Sequence, residues 1–372
     1  MTWPYHSQDE IDAVSQVLRS GKTNYWTGTE GKEFEKEFAD YCGTLYGLAV
    51  SNGTVALELA LRGCEIGPGD EVIVPARTFI ATAAAVNTVG AIPVLADISA
   101  DSLNVTVETI EAAITKKTKA IIVVHYAGWI CDMNQIVDLA DKHKIVVIED
   151  AAHAHGATYR GRAAGSLAHV GCFSFCTGKI MSTGGEGGMV VTYNRHTYDR
   201  MAAFRDHGRY QMVGRRAPTR GFEWTVDEFG SNLRMTEMQA AIGRIQLRKL
   251  NGWLRRRHLI ACQYDIALNS LPGVTVLKPP NNKNLFHSRY MYLFRTKNRD
   301  AVLERLFDVG ARFGGCPNIG HEAAFDAGAS PCPTADEVGK SIMSLPIYPT
   351  LINSEVKNII AETTRVIMDV NQ

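Results

Sequence analysis

Phe173-Ser174-Phe175-Cys176-Thr177-Gly178-Lys179 is followed a little further on by Gly184-Gly185-Glu186-Gly187-Gly188. An apolar, strand-like run ends in a hydroxyl, one lysine follows, and a glycine cluster lets the backbone turn tightly beside it. Upstream, Val146-Val147-Ile148-Glu149-Asp150-Ala151-Ala152-His153 delivers a carboxylate at the end of a second apolar strand. Strand and helix signals alternate around these two segments. Glu71-Val72-Ile73-Val74-Pro75, Ile92-Pro93-Val94-Leu95 and Lys119-Ala120-Ile121-Ile122-Val123-Val124 read as strands, and Lys144 to Ile148 as another. Residues 79–89, ended by Gly90, and 132–143 read as helices. Continuous β-branched runs separated by helices predict an α/β fold, with a mainly parallel central sheet covered by helices on both faces. Ligands of such sheets bind beyond the carboxyl ends of the strands. Asn52-Gly53-Thr54, Thr78-Phe79, His125-Tyr126 and Asp150 all fall at such ends.

Ser7 and Glu10 form a capping-box pattern ahead of Ile11, Val14, Val17 and Leu18, which predicts an N-terminal helix. A long helical segment starts near Met235 and continues toward Leu268, with a bend expected near Gly252. The domain change is placed inside it. Residues 1–250 form a large ligand-binding domain that includes the N-terminal helix, and 251–372 a smaller α+β C-terminal domain. The latter carries a strand at Tyr290-Met291-Tyr292-Leu293-Phe294, a helix near 299–309 and a closing helix from Ser354.

The 372 residues carry 39 basic and 39 acidic side chains. That balance argues against a dedicated nucleic-acid or membrane-surface protein, which would show a basic excess. Met1-Thr2-Trp3-Pro4-Tyr5-His6-Ser7 has no basic stretch leading into an apolar segment, and no run approaches the roughly 20 apolar residues of a membrane span. A cytoplasmic protein is expected. The 8 cysteines form no Cys-x-x-Cys pair, so reduced, mostly packed thiols are expected and no metal site. Cys176, close to Lys179, reads either as a reactive thiol or as a packing residue.

A lysine able to form an imine, together with an aspartate for a pyridinium nitrogen, is the pair that pyridoxal 5'-phosphate (PLP) chemistry requires. Lys179 is the candidate nucleophile and general acid–base. Asp150 is the candidate partner of the ring nitrogen, its alternative being an N-cap for a helix starting at Ala151. His153 is positioned to bond the cofactor's phenolic oxygen, or is a satisfied buried histidine. Gly53 and Thr54 open a helix running through Leu57, Leu59 and Leu61 to Gly63, whose N-terminal N–H groups make a phosphate cradle. Ser174 offers its hydroxyl to the same phosphate. Phe79 is read as lying on the cofactor ring, with a core position as its alternative. Arg205, Arg209, Arg215 and Arg216 lie in an arginine-rich stretch that either binds substrate phosphates or is a solvated charged loop.

These segments together resemble the DegT/DnrJ/EryC1/StrS family of PLP-dependent sugar aminotransferases. The likeness extends from Thr27-Gly28 and Phe34-Glu35 through Asn52-Gly53-Thr54-Val55-Ala56-Leu57 to Pro75-Ala76-Arg77-Thr78-Phe79-Ile80-Ala81-Thr82. The Asp150 and Lys179 segments carry it further, as do Gly230-Ser231-Asn232-Leu233-Arg234-Met235-Thr236 and Ser344-Leu345-Pro346-Ile347-Tyr348-Pro349. The resemblance implies the aspartate-aminotransferase-like fold, fold type I, with a large PLP domain and a small C-terminal one. It also implies a homodimer with shared active sites, in which Asn232 reaches the cofactor phosphate of the partner subunit; read unaided, Asn232 is a turn residue. The implied reaction moves an amino group from L-glutamate to a keto sugar, most often nucleotide-linked, by a ping-pong mechanism.

The alternatives are a cyclitol or a free keto-sugar acid as acceptor, or a PLP-binding regulator without turnover. Gly178 stands where many members of the resembled family carry Asn, Asp or Ser, and Tyr348 where a His is frequent. A dehydrating branch of the family replaces the lysine with His, so Lys179 itself argues for transamination.

Overall fold

The computed structural model describes residues 3–209, 226, 228–278, 284–325 and 330–370. Its helices are α1 (Gln8–Ser20), α2 (Glu30–Cys42), α3 (Gly53–Gly63), α4 (Ala81–Thr88), α5 (Val107–Glu111), α6 (Met133–His143), α7 (Arg195–Arg205), α8 (Glu237–Leu268), α9 (Arg299–Leu306), α10 (Pro333–Ser341) and α11 (Asn353–Val370). The strands begin with β1 (Tyr46–Val50), β2 (Glu71–Pro75), β3 (Ile92–Ala96), β4 (Thr118–Val124) and β5 (Val146–Asp150). Next come β6 (Thr158–Tyr159), β7 (Arg162–Ala163), β8 (Val170–Ser174), β9 (Gly188–Thr192) and β10 (Val274–Val276). The last are β11 (Leu285–Phe286), β12 (Tyr292–Thr296), β13 (Arg312–Phe313) and β14 (Ile342–Leu345).

The main sheet has seven strands in the order β1-β9-β8-β5-β4-β2-β3. β3, β2, β4, β5 and β8 run parallel, and β9 pairs antiparallel with both β8 and β1. The sheet is therefore the expected one, mostly parallel, with a single reversed strand. Because strand side chains alternate, each strand feeds two cores. Val72, Val74 and Ile122 pack with α3 and α4 on one face. Ile73, Ile121 and Val123 pack with α2, α6 and the first half of α8 on the other. A four-stranded sheet, β10-β12-β14-β13, builds a third core with α9, α11 and the last turns of α8.

Helix ends follow local chemistry. The Ser7–Glu10 capping box starts α1, although Val17 is buried while Ile11 and Leu18 remain 50% and 56% exposed. Thr236 and Gln239 form a second capping box at α8. The carboxylate of Glu237, 1% exposed, accepts the backbone N–H groups of Glu30 and Gly31 at 2.6 and 3.1 Å, so α8 caps the positive end of α2.

Arg205 does not serve a substrate phosphate. It is 4% exposed at the end of α7, ion-pairs with Glu35, and donates to the Ala49 carbonyl at 2.9 Å. Glu35 also accepts from Tyr25 Oη and from the Ala49 N–H, both at 2.9 Å. Arg209 lies 3.7 Å from Asp206. Arg215 and Arg216 fall outside the described residues. Removing one member of a buried ion pair leaves the other charge uncompensated. Glu35→Ala is accordingly expected to lower unfolding stability by about 3–5 kcal/mol, measured by urea denaturation.

Candidate functional site

β2, β4, β5 and β8 point their carboxyl ends at one cavity of about 600 Å³. It is lined by Gly53, Thr54, Phe79, Asp150, His153, Ser174 and Lys179, with Thr82 and Tyr290 among the remaining wall residues. Seven of the eight predicted site residues thus converge.

Asn52, extended at φ −167°, caps α3 by accepting the Val55 N–H at 2.9 Å. The first N–H groups of a helix have no preceding carbonyl to bond, so those of Gly53 and Thr54 begin the helix as free donors. A Cβ on Gly53 would sit 2.6 Å from Ser174 Cβ. Only glycine brings α3 this close to the end of β8, and the approach sets the Ser174 hydroxyl beside the helix N-terminus. These donors suit an anionic phosphate.

Asp150 ends β5 at 8% exposure. One carboxylate oxygen accepts the Ala152 N–H at 3.1 Å, and the other accepts Thr82 Oγ1 at 3.1 Å. Thr82 Oγ1 is also 2.8 Å from Thr78 Oγ1. No helix starts at Ala151; the N–H bond to Ala152 is what remains of the capping alternative. Burial pushes the Asp150 carboxyl above the ordinary range, opposed by the Ala152 N–H, the Lys179 charge and Thr82. A cationic partner in the cavity, such as a protonated ring nitrogen, would relieve that cost.

His153 is 7% exposed, and its Nδ1 has no hydrogen-bond partner among the described residues. Burial, then the charge of Lys179, hold its ring well below the usual histidine range, so it is neutral at pH 7. A neutral imidazole with one buried nitrogen unengaged fits a hydrogen bond to a ligand oxygen. Lys179 is half-buried in the loop between β8 and β9. Phe79 stands at the rim, 63% exposed. Asn232 is exposed and does not line this cavity; its backbone bridges to Asp206. Tyr348 packs in the third core, away from the cavity. A Cβ on Gly178 would meet only Tyr290 Oη at 4.0 Å, so nothing steric demands glycine there. The cysteines are all free, and among the described residues no cluster of His, Cys, Asp and Glu could hold a metal. Among those residues, too, no helix is long and apolar enough to cross a membrane.

Sequence reading missed Thr82 as a support for Asp150, although its spacing from Thr78, one helical turn, was a usable signal. Tyr290 and Trp3 carried no local signal. The Trp3 indole N–H donates to the Lys179 carbonyl at 3.0 Å.

A family model, the DegT/DnrJ/EryC1/StrS aminotransferase family, matches residues 4–364. The dTDP-3-amino-3,4,6-trideoxy-alpha-D-glucose transaminase of Streptomyces venezuelae is 37% identical over 357 residues, covering 94% of this chain and 89% of its own. The GDP-perosamine synthase of Caulobacter vibrioides is 38% identical over 358 residues, covering 92% of each. Among solved structures, the aminotransferase from Psychrobacter cryohalolentis superposes with a TM-score of 0.95 at 39% identity, over 100% of both chains. A lysine and an aspartate converging beside a helix N-terminus, on a fold shared from end to end, leave one conclusion: the chain belongs to the DegT/DnrJ/EryC1/StrS aminotransferase family, with its fold type I architecture, and is a transaminase.

Proposed function

We propose that this enzyme uses PLP to move an amino group from L-glutamate to a nucleotide-linked keto sugar in two ping-pong half-reactions. The observation that carries the reading is the convergence of Lys179 and Asp150 in one cavity beside the α3 N-terminus. PLP, when bound, supplies an electron-poor ring that accepts the electron pair released at the amino-bearing carbon. Lys179 Nζ is the amine that holds the cofactor and moves the proton to and from the reacting carbon. Asp150 keeps the ring nitrogen protonated, and His153 bonds the phenolic oxygen. Ser174 and the N–H groups of Gly53 and Thr54 hold the phosphate, while Phe79 covers the ring.

The nucleotide-linked acceptor rests on the dTDP- and GDP-sugar names of the relatives. Membership of an aminotransferase family favours turnover over a regulator that only binds the cofactor. The working unit is proposed to be a cytoplasmic homodimer in which Asn232 serves the partner's site. Residues 1–250 would hold the cofactor, and 251–372 would form the smaller domain.

The test is visible absorption of the PLP-loaded protein during titration with L-glutamate. The cofactor band should bleach as glutamate is added, and Lys179→Ala should show no such band. A band that persists at saturating glutamate would remove glutamate as donor, and no band in the wild type would overturn the role of Lys179.

Two substitutions follow from the geometry. Gly53→Ala forces α3 away from Ser174, and overpacking of this kind costs about 1–3 kcal/mol. Its PLP dissociation constant should rise roughly tenfold or more by equilibrium dialysis.

Asp150→Asn should lower kcat by roughly 10²–10³. In the cofactor-free protein it should act oppositely on stability. Burial raises the folded-state pKa of Asp150, so the folded form binds the proton more firmly than the unfolded one. Stability is then lost as pH rises through the folded pKa. The Asn variant lacks that loss, so above this range its cofactor-free melting temperature should exceed the wild type's.

A further inference from the structure

Lys179 is held at both ends by residues far away in sequence. Its carbonyl takes the Trp3 indole N–H, and its Nζ lies 5.1 Å from the centre of the Tyr290 ring. The other face of that cluster is His153, whose ring stacks on Tyr290 with centroids 4.1 Å apart and planes 19° apart. Behind them, Arg257 is 2% exposed and donates to the backbone carbonyls of Arg289 and Tyr290, both at 3.3 Å. The same guanidinium stands 5.7 Å from the Trp3 ring, which meets Trp253 edge-on at 5.1 Å. Arg289, just before Tyr290, has φ +53°. A residue with a side chain takes that left-handed conformation only where its surroundings enforce it. The placement of the Tyr290 ring is thus over-determined.

Resting on the reading of Lys179 as the reactive amine, we propose that Tyr290 is a positioning residue whose ring face seats the Lys179 ammonium whenever the amine is free, with Arg257 and Trp3 as its frame. An aromatic face attracts a cation, most strongly where water is excluded. An amine that is bonded in one stage and free in the next must stay near its target, and lysine has a long, flexible stem that would otherwise carry it into solvent. The ring therefore favours the protonated amine and keeps it in the cavity. Among the described residues, other groups close to the amine are Asp150 from β5, His153 and His155 from the segment after it, and Cys316 beyond β13. Glu186 and Cys176 line the same cavity from the lysine's own loop. Burial disfavours the charged forms of both histidines and of Cys316, and the carboxyl groups of Asp150 and Glu186 are kept in every variant compared.

The experiment uses the full chain freed of cofactor. The rate of Lys179 acetylation by acetic anhydride is followed against pH, by mass spectrometry of the Lys179 peptide. Tyr290→Phe, which keeps the ring, should titrate as the wild type does. Tyr290→Leu should shift the midpoint down by roughly half to one pH unit, making labelling near pH 7 about three- to tenfold faster. Tyr290→Met gives the same comparison should the Leu variant fold poorly. A merely space-filling residue predicts the opposite sign, because water entering the site stabilises the charged amine and raises the midpoint. An unchanged or raised midpoint in the ring-less variants, or a Phe variant that shifts as far as they do, overturns the proposal. The readout needs neither cofactor nor turnover, so a cofactor band that persists at saturating glutamate would remove glutamate as donor and leave this proposal standing.

Discussion

The site depends on a carboxylate that does not line its cavity. Glu149 is fully buried at the end of β5. Burying an ion costs several kcal/mol unless its hydrogen-bonding capacity is filled. Here it is filled: the N–H groups of Gly165, Leu167 and Ala168 donate at 2.7, 2.7 and 2.9 Å, and His125 Nε2 lies 2.9 Å away. One side chain thereby ties the end of β4, the end of β5 and the loop entering β8 into a single unit. Because strand side chains alternate, fixing Glu149 on one face fixes Asp150 on the other. Asp150 stands at the cavity because its neighbour is anchored on the far side.

The contrast between these adjacent acids separates structure from function in this fold. Glu149 has its oxygens engaged by the chain itself. Asp150 is buried too, yet holds one N–H and one hydroxyl, and burial still pushes its carboxyl upward. The histidines divide the same way. His125 is bonded through both ring nitrogens, to Glu149 and to the Cys131 N–H at 3.4 Å, whereas His153 keeps Nδ1 unengaged beside the cavity. Polar capacity left open inside a folded protein is costly, and it is tolerated where a ligand completes it.

What could be read from the sequence was whatever depends on near neighbours in the chain. The helix that opens at Gly53, the glycine that ends the helix at residue 90, the capping box at Ser7, and the strand ends carrying Asp150 and Ser174 are all local. They placed the sheet, its ligand-binding end and most of the cavity wall. What could not be read depends on which surfaces meet. Arg205 sits in a run of arginines, and the run says nothing about burial; α7 turns that one residue inward, against Glu35. The resemblance supplied a role for Asn232, but within one chain this residue lies outside the cavity.

Trp3 and Tyr290 belong to this second class, and they show why the lysine loop needs distant support. The loop between β8 and β9 is rich in glycine, with Gly184 and Gly185 both at positive φ. Such a segment bends sharply and gains little rigidity of its own. In the role proposed for Lys179, its amine nevertheless has to meet a reacting carbon to within a fraction of an ångström. Rigidity is therefore imported. Trp3 comes from the start of the chain, Arg257 from the middle of α8, and Tyr290 from the approach to β12. The lysine is placed only when segments spanning nearly 290 residues are all folded. The proposed phosphate cradle, by contrast, is fixed by one helix start and one strand end, so the two halves of the site draw on different parts of the chain for their precision.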